Sequence, residues 1–256
     1  MNAGGNPLAG EPTAGHEVSH CYRLSGDEGV GLFEPPTIHP ADFDRLDQKS
    51  VERLSGFSGL AATVSDVLDE MGWQTSVSAS LLMPRHDRGR RIIGHAQTLS
   101  YLPSRRHLLY PGYEQNPPQL AHHVVFRQAV PGDVLVVEAM TETPISIMGG
   151  IAAATATEIG LAGVIVDGAI RDVDQVQASG LPVWSRAVTP RCGKGRMEAV
   201  SVNNRIRCGG VQVVPGDLVI ADDTGLCFIP SQARESVLAR VLEVSHAELR
   251  QSARGA

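Results

Sequence analysis

Runs of apolar residues broken by turn residues mark the chain's elements. Pro40-Ala41-Asp42 reads as the opening of a helical stretch, and Gly59–Gly72 places apolar residues at helical spacing before a glycine stop. Arg91–Leu99 alternates enough for a strand, and 101–128, rich in Pro, Tyr and His, reads as a loop and a helix. Pro131-Gly132-Asp133 is a turn launching the apolar strand Val134–Glu138, and Pro215-Gly216-Asp217 repeats that unit before Leu218–Ala221. Between them lie a small-residue helix over Gly149–Gly160, a buried strand Val164–Asp167, a helix near Arg171–Ser179 and a strand at Pro182-Val183-Trp184. Helix–strand alternation of this kind predicts parallel strands in an α/β layer. The Gly209–Pro230 region reads as β-rich with Asp223-Thr224-Gly225 as a hairpin turn, and a C-terminal helix spans roughly Ser231–Arg250. Residues 1–36 lack periodicity and read as a flexible arm, leaving 37–256 as a single α/β domain.

Composition narrows the classes of function. The 256 residues carry a formal net charge of −6, which argues against a nucleic-acid or anionic-membrane binder. No window reaches the length of an apolar membrane span and the N-terminus lacks a secretory pattern, so a cytoplasmic protein is expected. The four cysteines show no C-x-x-C spacing and read as small buried thiols. Of 22 basic residues only Lys49 and Lys194 are lysines, and both read as remote from any site, which weakens Schiff-base chemistry.

Candidate chemistry concentrates in Val166-Asp167-Gly168-Ala169-Ile170-Arg171-Asp172, where a buried strand runs into a helix start. In open α/β sheets that edge binds ligands. Arg171 offers a charged fork for a carboxylate or enolate oxygen, and Asp172 offers hard oxygens for Mg²⁺. The competing reading is a surface Arg–Asp pair capping a helix. Met148-Gly149-Gly150-Ile151-Ala152 forms a second junction whose open amides suit an anion, or else a close-packed glycine pair. It matches neither a dinucleotide nor a nucleoside-triphosphate loop. His122 and His123 read as a solvated helix face, Asp66, Asp69 and Glu70 as another, the Arg85–Arg91 run as an exposed loop, and Asp222-Asp223 as a turn.

These residues carry a resemblance. The glycine junction, Gly163–Asp172, Pro182-Val183-Trp184, Cys208-Gly209-Gly210-Val211, Pro215-Gly216-Asp217 and Ala221–Gly225 resemble the RraA-like family, over about Ala62 to Pro230. That family contains class II pyruvate aldolases acting on 4-hydroxy-4-methyl-2-oxoglutarate and 4-carboxy-4-hydroxy-2-oxoadipate. It also contains the regulator of ribonuclease E activity, and proteins long mislabelled as demethylmenaquinone methyltransferases. The resemblance implies an α/β/α sandwich of the swivelling phosphohistidine-domain type, assembled as homotrimers or homohexamers.

It further implies that Gly149, Gly150, Ile151 and Ala152 contact an oxo-acid substrate through backbone amides. Arg171 would bind substrate and stabilise the enolate, and Asp172 would ligate Mg²⁺ or Mn²⁺. Glu248 on the C-terminal helix of a neighbouring subunit would serve as acid or base, with Glu243 behind it. Gly150 departs from the aldolases, which carry an acidic residue there; Asp172 departs from the regulators, which lack it. The implied activity is a metal-dependent lyase cleaving a 4-hydroxy-2-oxo acid or decarboxylating oxaloacetate through a pyruvate enolate. An oxo-acid hydro-lyase or isomerase, or a ribonuclease-regulator-like binding protein, is the alternative.

Overall fold

A computed structural model describes residues 36–105 and 120–255, with side chains to residue 250; the expected N-terminal arm falls outside these except for Pro36. The chain begins with β1 (Thr37–Ile38), α1 (Gln48–Ser55) and α2 (Leu60–Glu70). Pro40-Ala41-Asp42 does not open a helix. The following segment makes tertiary contacts instead: Leu46 donates its amide to His95 Nε2 at 2.9 Å and Arg45 pairs with Asp133 at 2.7 Å. The helix starts where Asp47 can accept the Ser50 amide, at 3.0 Å, as an N-cap. Helix α2 buries Leu60, Val64, Val67 and Leu68 on one stripe, and Gly72, at φ 78°, turns the chain beyond its end.

There follow β2 (Ser76–Ser78), β3 (Met83–Pro84), β4 (Ile92–Pro103), α3 (His122–Gln128), β5 (Val134–Glu138), β6 (Ser146–Met148), α4 (Gly150–Ile159), β7 (Gly163–Ile170), α5 (Val173–Ala178) and β8 (Val183–Val188). Then come β9 (Met197–Val202), β10 (Ile206–Cys208), β11 (Val211–Val213), β12 (Leu218–Asp222), β13 (Gly225–Ile229) and α6 (Arg234–Gly255). Strands β4, β5, β7 and β8 pair in parallel, as the alternation of helices and strands predicts. The main sheet runs β2-β13-β12-β4-β5-β7-β8-β3, with β6 on β7, β9 on β4 and β1 on β9.

The two ends of this path, β2 and β3, are joined by residues 79–82 alone. Laid flat, eight strands would separate their ends by about 34 Å. The link reaches about 18 Å. The sheet therefore curls round on itself. Alternate residues then face two different cores. Ile92, Val134, Val136, Ile165, Trp184, Val219 and Phe228 fill the inside with β10 and β11. Their neighbours Ile93, Leu218, Ile220, Cys227 and Ile229 face outward onto α1, α2 and α6. Leu135 and Val137, also outward-facing, line a small recess with residues of α3 and α4. The architecture is thus mixed α/β, with helices on a large sheet that supplies a second core of its own. Among the described residues no helix is long and apolar enough to cross a membrane.

Candidate functional site

The carboxyl ends of β6, β7 and β8 lie side by side, because these strands run parallel. Arg171 leaves β7 with its amide donating to Met148 O at 2.9 Å, which ties it to the end of β6. Asp172 follows as the N-cap residue of α5, yet its side chain makes no capping bond. Its backbone is left-handed, φ 51° and ψ 48°, a conformation shared among the described non-glycine residues only with Asn203 for φ. Asp172 Oδ2 sits 3.3 Å from Arg171 Nε and 3.3 Å from the Gly150 amide. The Asp172 side chain therefore does not cap its own helix α5; the carboxylate turns toward the glycine junction and accepts the first amide of α4.

That junction is shaped by missing side chains. A Cβ on Gly149 would lie 2.5 Å from Asp172 Oδ2 and 3.0 Å from Arg171 Cγ. A Cβ on Gly150 would lie 2.6 Å from Gln175 Cβ and closer still to Gln175 Oε1. Gln175 on α5 thus occupies the space that a side chain at position 150 would need. The N-cap residue of α4, Gly149, has no side chain to cap it, and of the first-turn residues Gly150, Ile151 and Ala152 the amide of Gly150 donates to Asp172. Ala152 is buried and Ile151 is 83% exposed.

Gly149, Ile151, Ala152, Arg171 and Asp172 border a cavity of about 250 Å³. His122, Ser146, Cys192 and Lys194 also line it, and for His122 and Lys194 the sequence reading needs correction. Lys194 is not remote. The loop after β8 folds back on β6, where Ser146 bridges Cys192 and donates its amide to Arg191 O at 2.8 Å. Gly193 permits that approach, since a Cβ there would lie 2.5 Å from Ser146 O. Lys194 and the half-buried free thiol of Cys192 are thereby brought into the cavity wall. His122 is not on a solvated face either: it lines the cavity, and burial, followed by the charges of His123 and Lys194, pushes its pKa down to about 4. A glycine-flanked lysine just beyond a parallel strand was the available signal for Lys194.

The Val166–Asp172 cluster divides. Asp167, 1% exposed, faces the inside of the curl, bonded to Arg186 at 2.6 Å and to the Gly209 amide at 2.7 Å. Only Arg171 and Asp172 of the cluster reach the cavity. Glu248 and Glu243 lie exposed on α6 and do not line the cavity of their own chain. Cys208 and Cys227 are buried thiols whose pKa burial raises, the latter to about 11, and Cys21 lies outside the described residues. Asp222 accepts the Thr224 amide at 2.9 Å, as a turn residue. Arg85 and Arg91 are held by Ser185 and by the Ser55 and Phe57 carbonyls.

No group of three His, Cys, Asp or Glu side chains that could hold a metal gathers among the described residues. The donor set suits a hard cation that keeps most of its waters and takes one carboxylate, Mg²⁺ or Mn²⁺. Asp172 Oδ2, given room by Gly149, fits that requirement.

Comparisons with known proteins agree with this architecture. A Halalkalibacterium halodurans protein provisionally named 4-hydroxy-4-methyl-2-oxoglutarate aldolase is 29% identical over 194 residues, 75% of this chain and 83% of its own length. A Thermus thermophilus 4-hydroxy-4-methyl-2-oxoglutarate aldolase is 33% identical over 103 residues, 39% of this chain and 60% of its own. The crystal structure of Streptomyces coelicolor RraAS2, described as an unusual member of the RNase ES inhibitor RraA family, superposes with a TM-score of 0.67 at 29% identity, covering 83% of this chain and 99% of that one. The Aldolase/RraA family model matches residues 61–228, which contain every element around the cavity. The chain belongs to the RraA-like family.

Proposed function

We propose that the chain is a divalent-metal-dependent lyase that cleaves a 4-hydroxy-2-oxo acid, or decarboxylates oxaloacetate, through a pyruvate enolate. The observation that carries this reading is the Asp172 carboxylate, held in left-handed backbone at a cavity wall beside Arg171 instead of capping its helix. When bound, Mg²⁺ or Mn²⁺ would supply Lewis-acid polarisation of the 2-oxo group. Asp172 would hold that ion. The Arg171 fork would bind the carboxylate and neutralise charge as the enolate develops. The first-turn amides of α4 would orient the same end of the substrate through the helix N-terminus. Lys194 adds a second cation, which favours a dicarboxylate.

In the cleavage, the C3–C4 bond breaks and its electron pair passes into the enolate. The 4-hydroxyl proton leaves to a base as C4–O becomes a carbonyl, and a proton returned to C3 converts the enolate to pyruvate; Glu248 of a neighbouring copy in a homotrimer or homohexamer is the candidate for both transfers. The test couples pyruvate release to lactate dehydrogenase across 4-hydroxy-2-oxo acids and oxaloacetate, with Mg²⁺, Mn²⁺ or EDTA. Turnover abolished by EDTA and restored by metal is expected. Absence of metal-dependent release with every substrate overturns the reading. Because Lys194 lines the cavity, borohydride with pyruvate provides a second check: covalent trapping would favour a Schiff base instead.

Similarity to RraAS2 favours a second reading, a protein-binding regulator. Binding of that kind would survive Asp172→Ala; the lyase activity would not.

A further inference from the structure

Asp172 and Gln175 are the first and fourth residues of a D-x-x-Q sequence at the start of α5. That spacing is a capping box: the aspartate would accept the fourth residue's amide, and the glutamine side chain would reach back to the aspartate's own N–H. Neither bond is made. Asp172 makes no capping bond, and the Gln175 side chain has no hydrogen-bond partner among the described residues. Both side chains turn instead to one residue of α4. Gly150 donates its amide to Asp172 Oδ2 at 3.3 Å, and Gln175 lies where a Gly150 side chain would stand, its Cδ 3.0 Å from that Cβ position and its Oε1 nearer still. The amide nitrogen and the Cβ position are adjoining substituents of one α-carbon, so the carboxylate oxygen and the amide oxygen converge there. Gln175 is an exposed residue, so burial does not account for where its side chain lies. A helix end that forgoes both of its available caps gives up stability, and such local conflicts collect at functional sites.

We propose that Gln175 is a positioning residue for the divalent cation: its side-chain oxygen accepts a hydrogen bond from a water on the ion held by Asp172. This rests on the metal-dependent reading above and gives the single carboxylate a second group to work with. An ion bound by one carboxylate keeps several waters, and groups that hold those surroundings set its affinity. Mg–oxygen lengths of about 2.1 Å and hydrogen bonds of about 2.7 Å put acceptors within about 5 Å of the ion in reach. A neutral amide holds such a water without adding charge beside Asp172. The competing role for Gln175 is a spacer over Gly150, for which methionine, of similar length and without the amide, would serve as well.

Mn²⁺ binding to the protein alone, read as loss of the free ion's electron paramagnetic resonance signal, separates these roles without substrate or turnover. The wild type is expected to bind Mn²⁺ and Asp172→Asn to lose that binding. Gln175→Met is expected to weaken it about tenfold, the low end of what losing a group around a metal's ligands costs. Gln175→Glu keeps an oxygen acceptor and is expected to bind at least as tightly as wild type; a spacer role predicts no such split between the two variants. Thermal melts establish that all three variants fold. Where Asp172→Asn loses binding, wild-type affinity in Gln175→Met overturns the proposal and leaves the metal reading standing. So does a loss in Gln175→Glu equal to that in Gln175→Met. A wild type that binds no Mn²⁺, or an Asp172→Asn that binds it equally well, overturns the metal reading and this proposal with it.

Discussion

Asp172 holds a backbone conformation that costs a side chain bearing a Cβ about 1 kcal/mol. Glycine has no such penalty, so Asp172→Gly is expected to keep the unfolding free energy within about 1 kcal/mol of wild type. The same variant should lose at least about a hundredfold in metal-dependent turnover, the scale of losing one electrostatic group from a reacting site. Urea denaturation and pyruvate release measure the two halves. Gly150→Asp is expected to destabilise by about 1–3 kcal/mol through overpacking on Gln175, and Gln175→Ala in that background to recover part of the loss. Thermal melts of the three proteins decide it. Arg171 and Asp172 were readable in sequence because a strand-to-helix junction places its residues without knowledge of the rest. Lys194 was not, since its position depends on the Ser146–Cys192 contact between segments far apart in the chain. His122 was misread because the angle between adjacent helical side chains says nothing about what packs over them.

The two Pro-Gly-Asp units show how a local pattern gains different energetics from its surroundings. Both glycines have positive φ, 91° at Gly132 and 89° at Gly216, and each aspartate accepts the amide three residues earlier, Val130 at 3.1 Å and Val214 at 2.8 Å. Both then launch strands that pair with β4. Asp133 also receives Arg45 at 2.7 and 2.9 Å. Asp217 has amide donors but no cation partner among the described residues, and burial pushes its pKa up to about 6. A carboxyl whose folded pKa exceeds its unfolded value binds more protons when folded, so its contribution to stability falls as pH rises from about 4 to 6. The wild type should therefore be more stable relative to Asp217→Asn at pH 4 than at pH 7, by about 2 kcal/mol. Chemical denaturation at the two pH values tests this; a difference independent of pH contradicts it. These turns, α2, β5, β7 and the β12–β13 hairpin were all visible as patterns. The start of α1 was not, because Leu46 and Arg45 are claimed by His95 and Asp133 from distant strands. Strand β9 passed unnoticed although Met197, Ala199 and Ser201 alternate inward, since nothing local told it from a loop.

The curl of the sheet unites these parts. Closing β2 and β3 to within a four-residue link creates an interior filled by Trp184 and Phe228, with Asp167 and Arg186 as an ion pair in it. Arg186 is 28% exposed and can be hydrated, but the Gly209 amide loses its acceptor, so Asp167→Ala should cost about 1–3 kcal/mol by denaturant unfolding. A loss under about 1 kcal/mol would contradict that placement. Strands β6, β7 and β8 pair in parallel, and it is their shared carboxyl edge that places Arg171, Asp172 and Lys194 around one cavity. The periodicity of the chain predicted the parallel strands but carried no sign of the curl, which follows from pairings between segments far apart in sequence. The proposed lyase reaction depends on a divalent cation held by Asp172. Pyruvate release by wild type and by Asp172→Asn, followed side by side as Mn²⁺ is titrated from zero, tests it most directly. Saturable, metal-dependent release by the wild type and loss of at least about a hundredfold in the variant are expected. Equal release by the two proteins, or release indifferent to the metal, would contradict it.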